Sequence, residues 1–475
     1  MKAPSFLLVC LNLALVVVFP GVVTGGDGPQ QATGIKIGEA TSETAIVWTR
    51  LTEGGAWEAA PEVKDIKRLE EGSDEMVDAV ALWRVPGTEG EVRVRYWPAG
   101  GEQNAEETEW EMVGEEKDFT RSFFLGELKP GTTYETRVEA REAGGDEVSS
   151  AVEGRFRTAP SDDEAAKVVF TVVTGQGYHR RDDKEKGHGI YPLMWALDPS
   201  FFVHTGDILY YDKPAPDAQS ADLARLKWQR MYALPYQRDF HAQVGSYFIK
   251  DDHDTLDNDS WPGKTYGDLT WDEGLEIFRE QVPMGERTFR TRRWGKDLQV
   301  WFVEGRDFRS PNTMPDGPEK TIWGEEQKEW FMRTVEGSDA TFRILVSPTP
   351  IVGPDRTKKN DNHANEGFKH EGDEIRSFIA DQENMYVVCG DRHWQYVSVD
   401  PVTGVREYSC GPTTDQHAGG FSQDQRSDMH EYLNIRGGFL SVTVERDESG
   451  ENPKAIFRHH GVDGTVQNED VRELE

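Results

Sequence analysis

Residues 200–212 read SFFVHTGDILYYD, and the rest of the chain is read outward from them. Phe201, Phe202, Val203 and His204 predict a short buried strand that runs directly into Thr205-Gly206-Asp207, where glycine permits a sharp turn. Asp207 therefore stands at the C-terminal end of a strand. In open α/β sheets the crevice outside the strand C-termini is where ligands bind, so this turn delivers a carboxylate to a place suited to chemistry. Tyr210 follows three residues later, and the D-x-x-Y spacing returns a phenol toward the same point. A phenolate is a hard oxygen ligand and a carboxylate offers two oxygens, so the pair reads as part of a metal site. The plainer alternative is that Asp207 caps the following segment while Tyr210 packs.

Beyond residue 160 the pattern alternates strand, polar loop and helix. Strands are expected at Val168–Val173, Phe201–His204, Tyr247–Lys250, Leu298–Glu304, Phe342–Val346 and Met385–Cys389. Helices are expected at Leu223–Tyr232, Gly274–Gln281, Glu325–Thr334 and Asp373–Asp381, which together predict a layered α/β domain over residues 161–475. Phe439–Glu445 and Ala455–His459 return to β and close a sheet, while Lys358–Glu374 is a polar loop, read as a lid or a solvated stretch.

Five of the six strands end in residues able to do chemistry. Thr174-Gly175-Gln176-Gly177-Tyr178-His179 follows the first, Asp207 and Tyr210 the second, Asp251-Asp252-His253-Asp254 the third, Arg306-Asp307-Phe308-Arg309 the fourth, and Gly390-Asp391-Arg392-His393 the sixth. Any one of these is an ordinary cap or surface loop. Their common position is what makes a site. Asp207, Asp252 and Asp391 supply hard oxygens, Tyr210 a phenol and His393 an imidazole, a mixture that fits iron, manganese, zinc or calcium better than copper or an iron–sulfur cluster. Two such ions clamp a phosphoryl group and supply hydroxide at neutral pH. Arg306 and Arg309 are suited to bind phosphate oxygens, or else form surface salt bridges in an acidic protein.

Ahead of this domain, residues 26–160 read as a β-sandwich. Gly34–Gly38, Thr44–Thr49, Glu91–Tyr96 and Tyr134–Ala140 alternate apolar and polar residues, with turn residues between them. Leu128-Lys-Pro-Gly-Thr-Thr-Tyr134 resembles the corner of a fibronectin type III sandwich, where a tyrosine caps a strand bend. An acidic insertion, Glu53–Asp78, interrupts the sandwich, and Thr158–Asp163 is read as the linker. Residues 1–25 carry Lys2, an apolar run from Phe6 to Phe19 and a small-residue end, the pattern of a secretory signal peptide; an uncleaved anchor is the alternative.

The charge excludes some partners. With 53 Lys and Arg against 86 Asp and Glu, the formal net charge is −33, which argues against nucleic acid or an anionic membrane as a partner. Once Cys10 leaves with the leader, Cys389 and Cys410 remain, so disulfides are not the framework of the fold and two buried thiols are expected.

The stretches FFVHTGDILYYD, KDDHDTLDND, EGRDFRS, WGEEQKEWF and VVCGDRHWQY resemble successive motifs of the PhoD-like metallophosphatases, also called the alkaline phosphatase D family, within the calcineurin-like phosphoesterase superfamily. That resemblance implies a calcineurin-like core of layered sheets and helices preceded by a fibronectin III-like sandwich, a ferric ion paired with calcium, and hydrolysis of phosphate mono- or diesters outside the cell. Carried over residue by residue, it implies that Asp207 bridges the ions, that Tyr210 and His393 serve the iron, and that Asp252 and Asp391 serve the second ion. His253 and Arg306 would be catalytic, with Arg309 and Asn258 binding substrate. One position departs from the pattern: Gly175 stands where the family carries a ligating cysteine. Gln176, His179 or water then takes that place, and zinc or manganese becomes an alternative to iron. The expected function is a secreted metal-dependent phosphoesterase acting on a small or polymeric phosphate ester. The alternative is an exported calcium- or surface-binding protein with a degenerate site.

Overall fold

The computed structural model of the chain describes residues 23–24, 27–55, 80–356 and 358–474. The expected leader, apart from Val23–Thr24, and most of the acidic insertion lie outside the described residues. Seven strands carry the loops of interest. β1 (Val168–Val173), β2 (Phe201–Thr205) and β3 (Ser246–Ile249) lie side by side and parallel. In a second sheet β4 (Leu298–Phe302), β5 (Phe342–Ser347), β6 (Met385–Cys389) and β7 (Arg406–Cys410) do the same. Most are short runs rich in apolar residues, VVFTVV and FRILVS among them, as parallel strands covered on both faces require, whereas β7 reads REYSC.

Among the described residues the first sheet has nine strands: beyond β1 it continues antiparallel through Gly438–Arg446, Pro453–Gly461 and Val466–Glu473, and beyond β3 it continues through Ile35–Gly38, parallel to β3, and then antiparallel through Ala45–Arg50 and Thr120–Leu125. The second has seven, adding Arg290–Trp294, Gln395–Val399 and His430–Asn434. Alternation along each strand sorts its side chains into layers. Phe170, Phe201, Val203 and Tyr247 of the first sheet meet Val300, Phe302, Ile344 and Tyr408 of the second in one core. Phe202 and Phe248, between them in sequence, face outward to helices.

Among the described residues, six α-helices cover the outer faces. α1 (Ile190–Trp195) and α3 (Pro235–Gln243) pack beside Phe202. α2 (Ala221–Tyr232) and α4 (Trp271–Gln281) pack beside Phe248. α5 (Gly324–Glu336) and α6 (Lys369–Ala380) pack on Trp301, Leu345 and Val387 of the second sheet. The four expected helices are thus present, extended by a residue or more at most ends. α4 begins on a capping box in which Thr270 and Glu273 each satisfy the other's backbone N–H. The prolines in α1 and at the start of α3 hid two further helices from a reading by periodicity.

At their C-terminal ends the two sheets touch. Thr174 pairs with Pro412 across them, and a Cβ on Gly390 would lie 2.6 Å from the Thr205 carbonyl, so only glycine permits this approach. The loops after β1, β2, β3, β6 and β7 are brought together there.

The N-terminal strands form two sheets around their own core, with Ile35, Val47 and Phe123 on one side and Val94, Val138 and Phe156 on the other. One of those sheets is continuous with β3 of the nine-stranded sheet through the pairing of Gly38 with Ser246. The Tyr134 hydroxyl accepts the Lys129 N–H at 3.0 Å at the corner. Two sequence expectations change. The Thr158–Asp163 linker is not a free tether: Thr158 and Ala159 are buried, and Ala159 N–H donates to Thr41 O at 3.0 Å. The 358–374 loop is not simply solvated either, because Asp361, Asn362 and His363 are buried and α6 starts within it.

Candidate metal centre

Asp207 has φ of 53° and Asp391 of 60°, both in the left-handed region that Asp tolerates at a cost. Such strain persists where the surroundings over-determine it. At Asp207 the Gln176 N–H holds the backbone carbonyl at 2.7 Å. Its carboxylate then meets two rings. Tyr210 Oη donates to Asp207 Oδ2 at 2.8 Å, and His393 Nε2 lies 3.5 Å from the same oxygen. Tyr210 Oη is also 3.3 Å from both His393 Nε2 and His417 Nε2. Asp207 Oδ1 is buried without a hydrogen-bond partner.

The loop after β3 supplies the other half. Asp207, Asp252 and His253 offer donor atoms all within 4.8 Å of one another. Asp252 is held by backbone, accepting the His253 N–H at 3.0 Å and the Asp259 N–H at 2.6 Å. His253 Nδ1 pairs with Asp212 Oδ1 at 2.8 Å, and Lys213 Nζ stands 3.3 Å from its Nε2. Two adjacent buried carboxylates, one with an orphaned oxygen, beside a phenol and neutral imidazoles make a donor set that fits hard or borderline divalent and trivalent cations.

The titration behaviour of the bare site points the same way. Burial opposes charge on Asp207 and Asp252, yet His253 beside the first, and Arg306 and His253 beside the second, hold both carboxyls below the usual range. Burial likewise opposes the imidazolium of His253, but Asp252, Asp207 and Asp212 outweigh it and raise that group to about 9. Burial, then the Asp207 charge, push the Tyr210 phenol up, and burial pushes His393 and His417 down. Negative charge is concentrated, and the neutral ring is favoured at His393 and His417 while His253 holds its proton. A cation reverses the penalty on the phenolate.

The remaining residues singled out from the sequence are placed differently. Asp391 turns its carboxylate onto the Arg392 guanidinium and donates its N–H to Thr174 Oγ1 at 3.2 Å. Arg306 and Arg309 are not surface groups. Arg306 is 1% exposed and donates to Asp251 Oδ1 at 2.6 Å and Ser260 O at 3.2 Å, with Asp252 Oδ2 3.6 Å away. Arg309 is committed to Asn312 Oδ1 at 2.9 and 3.0 Å and to the Asp361 carbonyl. Asn258 is exposed. Of the substitutes considered for the absent cysteine, Gln176 Oε1 accepts the Tyr191 hydroxyl, and His179 Nε2 accepts from Arg180 at 3.1 Å. Cys389 and Cys410 are buried free thiols.

Sequence reasoning missed His417, Asp212 and Lys213. Asp212 closes the quoted stretch and Lys213 follows it, and neither was given a role there. His417 lies in the loop after β7, a strand-end loop like the others, but β7 was not singled out as a strand.

A layered sheet-on-sheet α/β fold with carboxylate, phenol and imidazole donors gathered at parallel strand ends defines a metallophosphoesterase-type protein. The family model for PhoD-like phosphatase matches residues 170–437, and the chain belongs to that family. Among solved structures it is similar to PhoD, with a TM-score of 0.72 at 15% identity over 96% of this chain and 93% of that one. It is also similar to the purple acid phosphatase PPD1 from yellow lupin (Lupinus luteus) seeds, with a TM-score of 0.62 at 12% identity over 92% and 73% of the two chains. No curated protein matches it in sequence. The chain is a metal-dependent phosphoesterase acting on phosphate esters. No helix among the described residues is long and apolar enough to cross a membrane.

Proposed function

We propose that this chain is an exported phosphate mono- or diesterase that works with two metal ions, Asp207 serving both. The observation that carries the reading is the meeting of Asp207, Tyr210, Asp252, His253 and His393 from loops after three strands of two sheets. When bound, the ions supply hydroxide at neutral pH and stabilise charge on the phosphoryl oxygens. The chain's own residues do the rest. His253, with Nδ1 held by Asp212, presents Nε2 as the proton donor to the departing ester oxygen. Lys213, beside that nitrogen, places a positive charge where phosphate oxygens arrive. Arg306 holds Asp251 and Asp252 in place, a positioning role in this arrangement, and the exposed Asn258 serves substrate contact.

A ferric ion with calcium, or zinc or manganese at the first site, suits these donors; Asp391 joins them if it is released from Arg392. The sandwich is read as a fibronectin III-like companion domain, and export follows from the N-terminal leader. Elemental analysis together with hydrolysis of bis(p-nitrophenyl) phosphate tests the function. Two metal equivalents with turnover are expected. Metal uptake without turnover of mono- or diesters would replace this reading by that of an exported calcium- or surface-binding protein.

A further inference from the structure

His417 sits 3% exposed at the end of the short turn Asp415–His417, which Arg436 and the Gly437 N–H fix by binding Asp415 at 3.0 and 2.9 Å. The loop is docked onto Gly175, whose carbonyl receives Thr413 Oγ1 at 3.2 Å and His417 Nδ1 at 2.9 Å. A carbonyl only accepts, so Nδ1 carries the hydrogen and the Nε2 lone pair of the neutral ring points the other way. It points at Tyr210 Oη, 3.3 Å away, and the ring centroid is 4.1 Å from that of His393.

One hydrogen faces three acceptors at that point when both neutral rings turn a lone pair to the Tyr210 hydroxyl. The Tyr210 hydroxyl has one hydrogen, and Asp207 Oδ2 takes it at 2.8 Å. His417 Nε2 is then an acceptor facing an oxygen with nothing left to donate, inside a buried cluster that holds another imidazole and a carboxylate. Lone pairs converging on one point are the arrangement a cation resolves. The backbone carbonyl at Nδ1 is the kind of outer partner that fixes the tautomer and ring direction of metal-binding histidines. Gly175 completes the argument sterically, since a Cβ there would lie 3.2 Å from the His393 ring, and its absence leaves that ring room beside the carbonyl that holds His417.

We propose that His417 is a metal ligand through Nε2, joining Asp207, Tyr210 and His393 at one ion. The proposal rests on the phosphoesterase reading and adds a residue to it that neither the motifs nor the family match assigns.

The test uses the full-length protein carrying isotope-labelled histidine and loaded with an NMR-active cadmium isotope. The expected result is a ring with hydrogen on Nδ1, close in space to Gly175, whose Nε2 signal is split by coupling to cadmium. His417→Gln then removes that signal and weakens one cadmium-binding step by at least about 10–100-fold while sparing the other. The same coupled signals and affinities in a folded His417→Gln protein would overturn the proposal. If the variant does not fold, the wild-type spectrum decides alone, because an unsplit His417 Nε2 in the loaded protein overturns it equally. Cadmium uptake and ester hydrolysis with an unsplit His417 defeat only this assignment. A wild-type protein that takes up no metal defeats the phosphoesterase reading as well.

Discussion

His253 has a carboxylate at one ring nitrogen and an ammonium at the other, and the two disagree about its charge. Lys213 Nζ at 3.3 Å favours a neutral ring that accepts; Asp212 at 2.8 Å, with Asp207 and Asp252 close by, favours imidazolium. The Lys213 contact is long and the three carboxylates are closer or more numerous, so the charged form prevails in the metal-free protein. Stability should report it. A group raised in the folded state contributes fully below its unfolded value, about 6.5, and loses that contribution as pH rises through the folded value, about 9. Asp251 and Glu304, both pushed by burial to about 7, have largely finished titrating before that window. In metal-stripped protein the urea midpoint of the wild type should therefore fall relative to that of His253→Gln between about pH 7.5 and 9, a difference from which titrations common to both proteins, those of buried Lys36 and Lys227 included, cancel. An equal slope in the variant would assign the titration elsewhere. In the loaded enzyme, His253→Ala should keep its metals and lose about 10²–10⁴-fold in rate with alkyl esters. The loss should be smaller with p-nitrophenyl esters, whose phenolate leaves without a proton; equal losses with both leaving groups would mean that His253 only packs.

At the scale of elements, the site is a set of strand ends held in register by buried ion pairs. Arg306, in the loop after β4, reaches across to Asp251 and Asp252 after β3, and Lys250 in turn reaches Glu304 at 2.6 Å and Asp307 at 2.6 Å. The two sheets are thereby tied at the edge where they carry the donors. Arg306→Met should cost about 3–5 kcal/mol, because it leaves Asp251 buried without its partner, and should weaken metal binding through Asp252. Chemical denaturation and metal titration of the same sample check both, and a stability loss with unaltered metal affinity would confine Arg306 to the fold. This scale also decides what could be read in advance. Parallel strands bring their C-terminal ends to one edge whatever their side chains, so position alone sets Asp207, Tyr210, Asp252, His253 and His393 at that edge. Where a side chain points at that edge depends on neighbours from other loops. Arg306 and Arg309 therefore looked free for phosphate but are spent on carboxylates and carbonyls, Asp391 met Arg392, and His417 stayed hidden until the loop after β7 could be laid against Gly175.

Across the whole molecule, the N-terminal strands and the catalytic layers share a sheet, and a buried polar knot fastens them a second time. Asp118, at φ 49°, accepts from Arg50 Nη2, Gln229 Nε2 and Gln281 Nε2, each at 2.9 Å. Arg50 belongs to the N-terminal strand Ala45–Arg50, whereas Gln229 and Gln281 belong to α2 and α4. Lys36 adds a further strap, donating to Gln281 O at 2.6 Å with its ammonium 3.7 Å over the Trp48 ring and 3.9 Å over Tyr232. A sandwich hung on a tether would unfold by itself, but one joined by a shared sheet and a desolvated ion pair should unfold with its neighbour. Asp118→Asn isolates the second fastening, because asparagine tolerates the same left-handed backbone while removing the charge opposite a buried guanidinium. Breaking such a pair costs about 3–5 kcal/mol. The expected outcome is a urea midpoint lowered accordingly with the slope of the transition unchanged, the mark of one cooperative unit made less stable. Two separate transitions in the variant, or in the wild type, would show that the N-terminal strands fold apart from the layers that carry the metal donors.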